Sequence, residues 1–285
     1  MNVLFTLCIL VVHVIAPADY CFIKCANNLS DIHVICKRLH SCTVPKHCKE
    51  YEANKNWRQL MLNIVNDARN GVANGSKKFN YDNTGAKNMH ALSYDMELEY
   101  LITCYLNQCR RPRLGGCLDS VKFPAHHGTV EFRGADFGQA LWNRVIESFD
   151  DYTISHTTSN VVLYHHFYHN WCSLYFWEAR LVGCASIIVE GFAAVSCTFG
   201  PVHISVPGDV PVYRIAKYPG EIASECEEGR NKKYPALCGN IDEVPAGKMW
   251  SRLNITNTSS KNEFRSNIFN IIMILMGVRT IFKIC

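Results

Sequence analysis

Residues 165–185, HHFYHNWCSLYFWEARLVGCA, concentrate the side chains in this chain that can do chemistry: three histidines, two cysteines, two tryptophans and a glutamate. His165 and His169 stand four apart, so on a helix they would share one face, the spacing a zinc site uses. Zinc takes three or four protein ligands, so His165 and His169 alone make only a weak metal candidate. Cys172, His126 or His127 would have to converge on them, and nothing in the spacing brings them there. A nucleophile and base can be paired on paper from Ser173 or Cys172 with His169. No nucleophile elbow or oxyanion motif surrounds them, so Cys172 reads as a disulfide or core residue. The aromatics of FYHNWCSLYFW recur at i, i+3 and i+4 and predict a helix packed into the core. His126 and His127, in FPAHHGTVEF, read as loop residues. Asp150-Asp151, Glu227-Glu228 and the basic CRRPRLGGC read as solvated turns.

The amino-terminal residues place this chemistry in a compartment. An apolar run, Val3–Ile15, ends in Ala16-Pro17-Ala18, small residues of the kind signal peptidase reads. The run is too short to span a bilayer, so 1–18 reads as a secretory signal cut after Ala18. The chain has 15 cysteines; once Cys8 leaves with the signal, the rest enter an oxidising pathway where disulfides persist. No CxxC pair occurs, which argues against a zinc ribbon or a thioredoxin-like motif. Sequons at Asn28, Asn74, Asn254 and Asn257 fit a glycosylated secreted protein. The net charge of +4 is mild and no Lys/Arg stripe forms, so nucleic-acid binding has little support. The last segment is strongly apolar from Ile268 to Val278, but Arg279 and Lys283 interrupt it. It loosely fits a lipid-anchor signal; its charged end argues against one, and a tail that packs on the domain or stays loose is preferred.

The body between the ends divides into a cysteine-rich segment at 19–53, a domain at 54–240, and a polar linker with the apolar tail at 241–285. NWRQLMLNIVNDARNGVANG sets Trp57, Leu60, Met61, Ile64, Val65 and Ala68 at helical spacing, closed by Gly71 or Gly75. AKNMHALSYDMELEYLITCYLNQC predicts a second helix starting at Ser93 or Asp95, with Met96, Leu98, Leu101, Ile102 and Tyr105 on its apolar face. GADFGQALWNRVIESFDDY predicts a third. LVGCASIIVE and FAAVSCTFG read as an antiparallel hairpin with Cys184 and Cys197 placed to bridge it, VPVYRI as a strand, and TVEF as a further short one. Helices flanking an antiparallel sheet make the class α+β with segregated layers. A loop clipped by Cys226 and Cys238 closes the domain.

In that order, DYC…KC…C at Cys21, Cys25 and Cys36, then NIVNDARNGVANG, AKNMHALSYDMELEYLITCYLNQC and RLVGCA…VSCTFGP…VPVY, the chain resembles insect antigen-five-like proteins. These belong to the CAP superfamily of cysteine-rich secretory proteins and venom allergens; the resemblance runs over about 19–238. It implies a three-layer α/β/α sandwich with a cysteine-rich N-terminal extension, and the pairs Cys21–Cys36, Cys25–Cys117, Cys48–Cys109 and Cys184–Cys197. Cys42, Cys104 and Cys172 are surplus to that plan, Cys42 is an alternative to Cys48, and Cys285 is unassigned. Relatives often hold a divalent metal in a cleft of two histidines and two acidic residues. Where the family places its first histidine, between Cys109 and Cys117, this chain has Arg110 to Gly116 and no histidine. At the second stands Trp171, and indole is no metal ligand. The acidic positions align with Glu147 or Ser148 and, loosely, with Glu178.

A kept scaffold with replaced cleft histidines points to a secreted, non-enzymatic protein that binds an extracellular protein or cell-surface receptor, as in a reproductive or other glandular secretion. No cofactor is expected. Two other readings stand beside it: metal-dependent activity rebuilt on His165 and His169, and a lipid or sterol carrier.

Overall fold

The computed structural model describes residues 20–26, 32–37, 42, 44–50, 53–77, 84–109, 116–133, 156–157, 160–164, 172–189, 192–203 and 210–247. The chain falls into two compact units, and every described residue belongs to the one spanning Asp19–Leu253. The expected signal, the third helix, the tail, His165, His166, His169 and Trp171, and the sequons at Asn28, Asn254 and Asn257 all lie outside the described residues.

Three helices are described: α1 (Val34–Lys37), α2 (Lys55–Ala73) and α3 (Met96–Leu106). The side chain of Asn54 accepts from the Trp57 backbone N–H at 2.9 Å and caps α2, satisfying one of the donors a helix start leaves open. Trp57, Met61, Val65, Ala68 and Val72 bury one face of α2, but Leu60, read from its spacing as part of that face, is 40% exposed. The helix runs through Gly71 and stops at Asn74, after which Gly75 takes φ 75°. Asp95 caps α3 by accepting from Leu98 N–H at 2.8 Å.

The described strands are β1 (Cys48–Glu50), β2 (Gly85–Ala86), β3 (Ser93–Tyr94), β4 (His126–Arg133), β5 (His156–Thr157), β6 (Val161–Tyr164), β7 (Leu181–Val189), β8 (Phe192–Gly200) and β9 (Val210–Ala216). One sheet runs β1-β7-β8-β4, with β3 parallel to the start of β7; the other runs β2-β9-β6-β5. The hairpin β7/β8 is antiparallel and sets Cys184 opposite Cys197. His126 and His127, read from the sequence as loop residues, begin β4 and pair with Phe199 and Thr198 of β8. The backbone pairing of all eight residues outweighs the turn character of the glycine at 128. Residues 172–175 form a 3-10 turn, not the core helix the aromatic spacing predicts.

Strand alternation sorts the sheet faces. A Cβ on Gly183 would lie 2.0 Å from the Glu99 backbone nitrogen, so this face of β7 meets the start of α3 backbone to backbone. His126, Val182 and Phe199 lie on the opposite face, where the 172–175 turn packs and where Arg69 ties α2 to that turn. The result is a three-layer α/β/α arrangement.

Six disulfides join described cysteines: Cys21–Cys36, Cys25–Cys117, Cys42–Cys104, Cys48–Cys109, Cys184–Cys197 and Cys226–Cys238. Cys42 and Cys104 therefore bond each other, which corrects their reading as surplus and removes Cys42 as an alternative to Cys48. Both bridges fasten the amino-terminal segment to the end of α3, and β1 adds that segment to the main sheet. At the other end, Val244 is 3% exposed and the Arg58 guanidinium donates to the carbonyls of Pro245 and Gly247 at 3.0 and 2.8 Å.

The backbone contact at Gly183 yields a direct test. Gly183→Ala must push α3 off the sheet and is expected to cost about 2 kcal/mol or more, the range of core overpacking. Gly220→Ala, where a Cβ meets nothing within 4 Å, should stay within about 0.5 kcal/mol of wild type. Urea unfolding of both variants checks this; equal midpoints would contradict the packing.

Candidate functional site

The carboxylates and histidines of the described residues fall into small clusters, and each cluster either builds the fold or faces solvent. In the first, Glu99 of α3 takes both arms of the Arg58 guanidinium of α2, at 2.6 and 2.7 Å, and the Tyr94 hydroxyl at 2.6 Å. All three side chains are buried. With its one proton given to Glu99, the Tyr94 hydroxyl accepts from the Cys184 N–H at 3.2 Å. Burial first, then the neighbouring Glu99, holds the Tyr94 phenol well above its ordinary pKa. A buried ion pair needs this completeness, because the desolvation of two charges is large.

The second cluster fixes the amino-terminal segment. His33 Nε2 donates to the Asp119 carbonyl at 2.9 Å, while its Nδ1 accepts from Ile35 N–H at 3.2 Å. That pattern needs the neutral ring, and burial lowers the His33 pKa accordingly. The Tyr20 ring stacks on it with centroids 4.9 Å apart, and the Tyr20 hydroxyl donates to Glu97 at 3.1 Å.

The third holds the one described histidine–nucleophile contact. Ser173, paired on paper with His169, meets His126: Oγ lies 3.3 Å from Nδ1. Serine and histidine at this distance are the geometry of an activated nucleophile. Here, however, Ser173 is 0% and His126 5% exposed, so a substrate has no route to Oγ. Burial pushes the His126 pKa down to about 4, and the pair locks the 172–175 turn onto β4.

The fourth lies at the closing loop. His90 is buried, its Nε2 stands 3.4 Å from the Arg180 guanidinium, and Arg180 pairs with Glu228 at 2.7 Å. Burial, then the positive charges of Arg180 and Arg69, brings His90 down to about 4. Glu178, the loose counterpart of a cleft acid, is paired with His203 Nδ1 at 2.9 Å near the surface. Asn74, the sequon within the described residues, caps the end of α2, and its side-chain oxygen accepts from the Ser76 N–H at 2.8 Å.

Among the described residues no group of three His, Cys, Asp or Glu side chains converges as a metal site, and no helix is long and apolar enough to cross a membrane. Of the four cleft positions of the family, only Glu178 is described, and its carboxylate already has a partner; the described residues alone do not make a divalent-metal cage. Among the described residues an open polar groove of about 280 Å³ lies between α2 and the loop closed by Cys226–Cys238. Gln59 and Asn63 line one side, Asn231, Lys232, Lys233 and Asn240 the other. It offers amides and ammonium groups, with Leu62 and Ile241 as its apolar lining. The sequence reading missed this groove, because its residues come from segments about 170 positions apart, as the 2.8 Å bond from Lys233 Nζ to Asn63 Oδ1 shows.

No protein-family model matches the chain, and no curated protein matches it. Solved structures do. The crystal structure of NaASP2 with Zn2+ matches over 69% of this chain and 100% of its own, at 18% identity and a TM-score of 0.50. The hookworm platelet inhibitor matches over 68% and 96%, at 17% identity and a TM-score of 0.47. Venom allergen-like protein 4 of Schistosoma mansoni matches over 59% and 97%, at 13% identity and a TM-score of 0.37. The first of these carries the fold: the chain has the CAP-type α/β/α sandwich.

The two deeply placed histidines set a pH dependence. Above their unfolded pKa of about 6.5 the rings are neutral in both states. Between about 6.5 and the folded value of about 4, the unfolded chain binds protons that His90 and His126 in the fold refuse, so stability falls as pH falls. For His126 the slope approaches about 1.4 kcal/mol per pH unit. Urea midpoints at pH 7.5, 5.5 and 4.5 should drop steadily, and His126→Gln should flatten the drop. A variant with the wild-type slope would remove His126 from this role.

Proposed function

We propose that the protein is a secreted member of the CAP superfamily that acts by binding an extracellular protein or cell-surface partner, without catalysis of its own. The observation that carries this reading is the state of the described titratable groups. Arg58, Glu99, Tyr94, His33 and His126 are buried in contacts that hold the layers together, and the polar side chains of the described groove are amides and lysines. The six disulfides support passage through an oxidising compartment. They also support a surface role: a scaffold held by staples keeps its shape while exposed residues change. The replacement of the family's cleft histidines, with Trp171 at one position and a histidine-free interval between Cys109 and Cys117, points the same way. A role in a reproductive or other glandular secretion fits a divergent protein of this kind.

Disulfide-bonded protein isolated from its secreting tissue tests the reading. It is expected to leave peptide and ester substrates intact, to carry no stoichiometric metal, and to crosslink to a defined extracellular partner in the fluid that holds it. Hydrolysis that disappears in His165→Ala or His169→Ala would overturn it. One zinc per chain, lost in His169→Ala, would move the function to metal chemistry; stoichiometric uptake of a sterol or fatty acid by delipidated protein would make it a carrier.

A further inference from the structure

We infer that the groove between α2 and the Cys226–Cys238 loop is a binding site for an extended, acidic peptide segment of the partner. The inference rests on the binding-protein reading and names the surface and chemistry it uses.

Both walls are pre-formed. One is the 19-residue helix α2. The other is the disulfide-closed loop, whose turn is held by Asn231: its amide donates to the Gly239 carbonyl at 2.8 Å, and its oxygen accepts from the Lys233 and Tyr234 N–H groups at 2.9 and 3.0 Å. A groove that needs no ordering on binding loses little affinity to entropy.

The amide orientations follow from Lys233. Its ammonium can only donate, and it donates to Asn63 Oδ1 at 2.8 Å; Gln59 Nε2 donates to the same oxygen at 3.0 Å. Both lone pairs of Asn63 Oδ1 are thereby engaged. Asn63 Nδ2 and Gln59 Oε1 are left as a donor and an acceptor with no partner among the described residues. The 3.0 Å contact holds the two carboxamides side by side on α2, so together they offer one acceptor and one donor to the N–H and C=O groups of a peptide backbone.

Charge selects what that peptide carries. The charged side chains lining the groove are Lys232 and Lys233, with no carboxylate among the lining residues. Lys232 is exposed and projects a free ammonium next to the engaged Lys233, so an aspartate or glutamate fits and a lysine is repelled. A sugar is a poorer match, since sugars seek an aromatic face and Tyr234 presents none: it is 4% exposed and the Lys233 ammonium lies 5.0 Å over its ring. At about 280 Å³ the groove takes two or three residues rather than a folded domain.

The test is titration of the intact, disulfide-bonded, 15N-labelled protein with acetyl-Gly-Asp-Glu-Asp-Gly-amide. The same titration is run with acetyl-Gly-Lys-Lys-Lys-Gly-amide and with a sulfated heparin disaccharide. Saturable shifts centred on the side-chain amides of Gln59, Asn63 and Asn240 are expected with the acidic peptide. Lys232→Glu should weaken binding at least tenfold and Asn63→Ala severalfold, with unfolding midpoints unchanged, and raising salt from 50 to 500 mM should weaken it severalfold. No saturation by millimolar peptide, equal binding of the lysine peptide, indifference to both substitutions, or tighter binding of the disaccharide at these residues would each overturn the site. Absent binding with an intact probe would sink the groove alone; a probe found cleaved by mass spectrometry would sink the binding-protein reading as well.

Discussion

The Arg58–Glu99 pair is the constraint on which the arrangement of layers depends. It joins α2 to α3 directly, and through Tyr94 it reaches the backbone of Cys184 in the central strand. The remaining Arg58 donors hold the chain at Pro245 and Gly247. Two buried charges contribute to stability only when every donor and acceptor around them is satisfied. Removing either Arg58 or Glu99 would leave an unpaired charge in the core. The network therefore sets more than a local geometry: helix spacing, the end of β3, and the path of the chain after the closing loop must agree at one point. Gly183 is the steric counterpart of that requirement, since the start of α3 can approach β7 only where no side chain intervenes.

Arg69 does for irregular backbone what Arg58 does for the helices. Its guanidinium donates to the carbonyls of His90, Leu174, Phe176 and Ala179, and Asn66 makes a two-way bond with Leu92, donating to its carbonyl and accepting from its N–H. Buried backbone outside helices and strands must find partners, and one planar, five-donor group can supply several in one plane. The segment just before β7, where the chemistry-rich stretch of the sequence ends, is thus anchored by α2 from behind. The positive charge of Arg69 also helps keep His90 neutral. Among the described residues, the strongly perturbed groups are explained by the fold they hold, which weakens perturbed ionisation as a pointer to catalysis there.

Much of the scaffold was legible in the sequence because its signals are local. The apolar spacing of α2, the Asp95 cap, the period-two runs of β7 and β8 and the Cys184/Cys197 register each follow from neighbours in the chain. The buried polar hubs were less visible, although a signal existed. Arg58, Leu62, Val65, Arg69 and Val72 form a single helical stripe, so both arginines stand in register with apolar residues and had to be buried. Glu99 likewise shares a stripe with Ile102 and Leu106. The Cys42–Cys104 bond and the groove were not legible, since each joins segments far apart in sequence with no periodicity to announce it. The 172–175 turn does not continue as the predicted helix: Arg69 takes the Leu174 carbonyl within it and the Phe176 carbonyl just beyond it.

The disulfides hold the shape of this scaffold at two ranges. Three of them close long stretches, with separations of 92, 62 and 61 residues, and all three fasten the amino-terminal segment to the end of α3 or the loop after it. Long closures restrict the unfolded chain most. The other three close 15, 13 and 12 residues and fix local features: the first turn, the central hairpin and the groove loop. Together with Arg58 and Arg69, the two sets fix the core and its attached segments without drawing on the exposed side chains of the groove. In the groove loop the two features adjoin, because Cys226–Cys238 gives it rigidity while Lys232 is exposed to solvent.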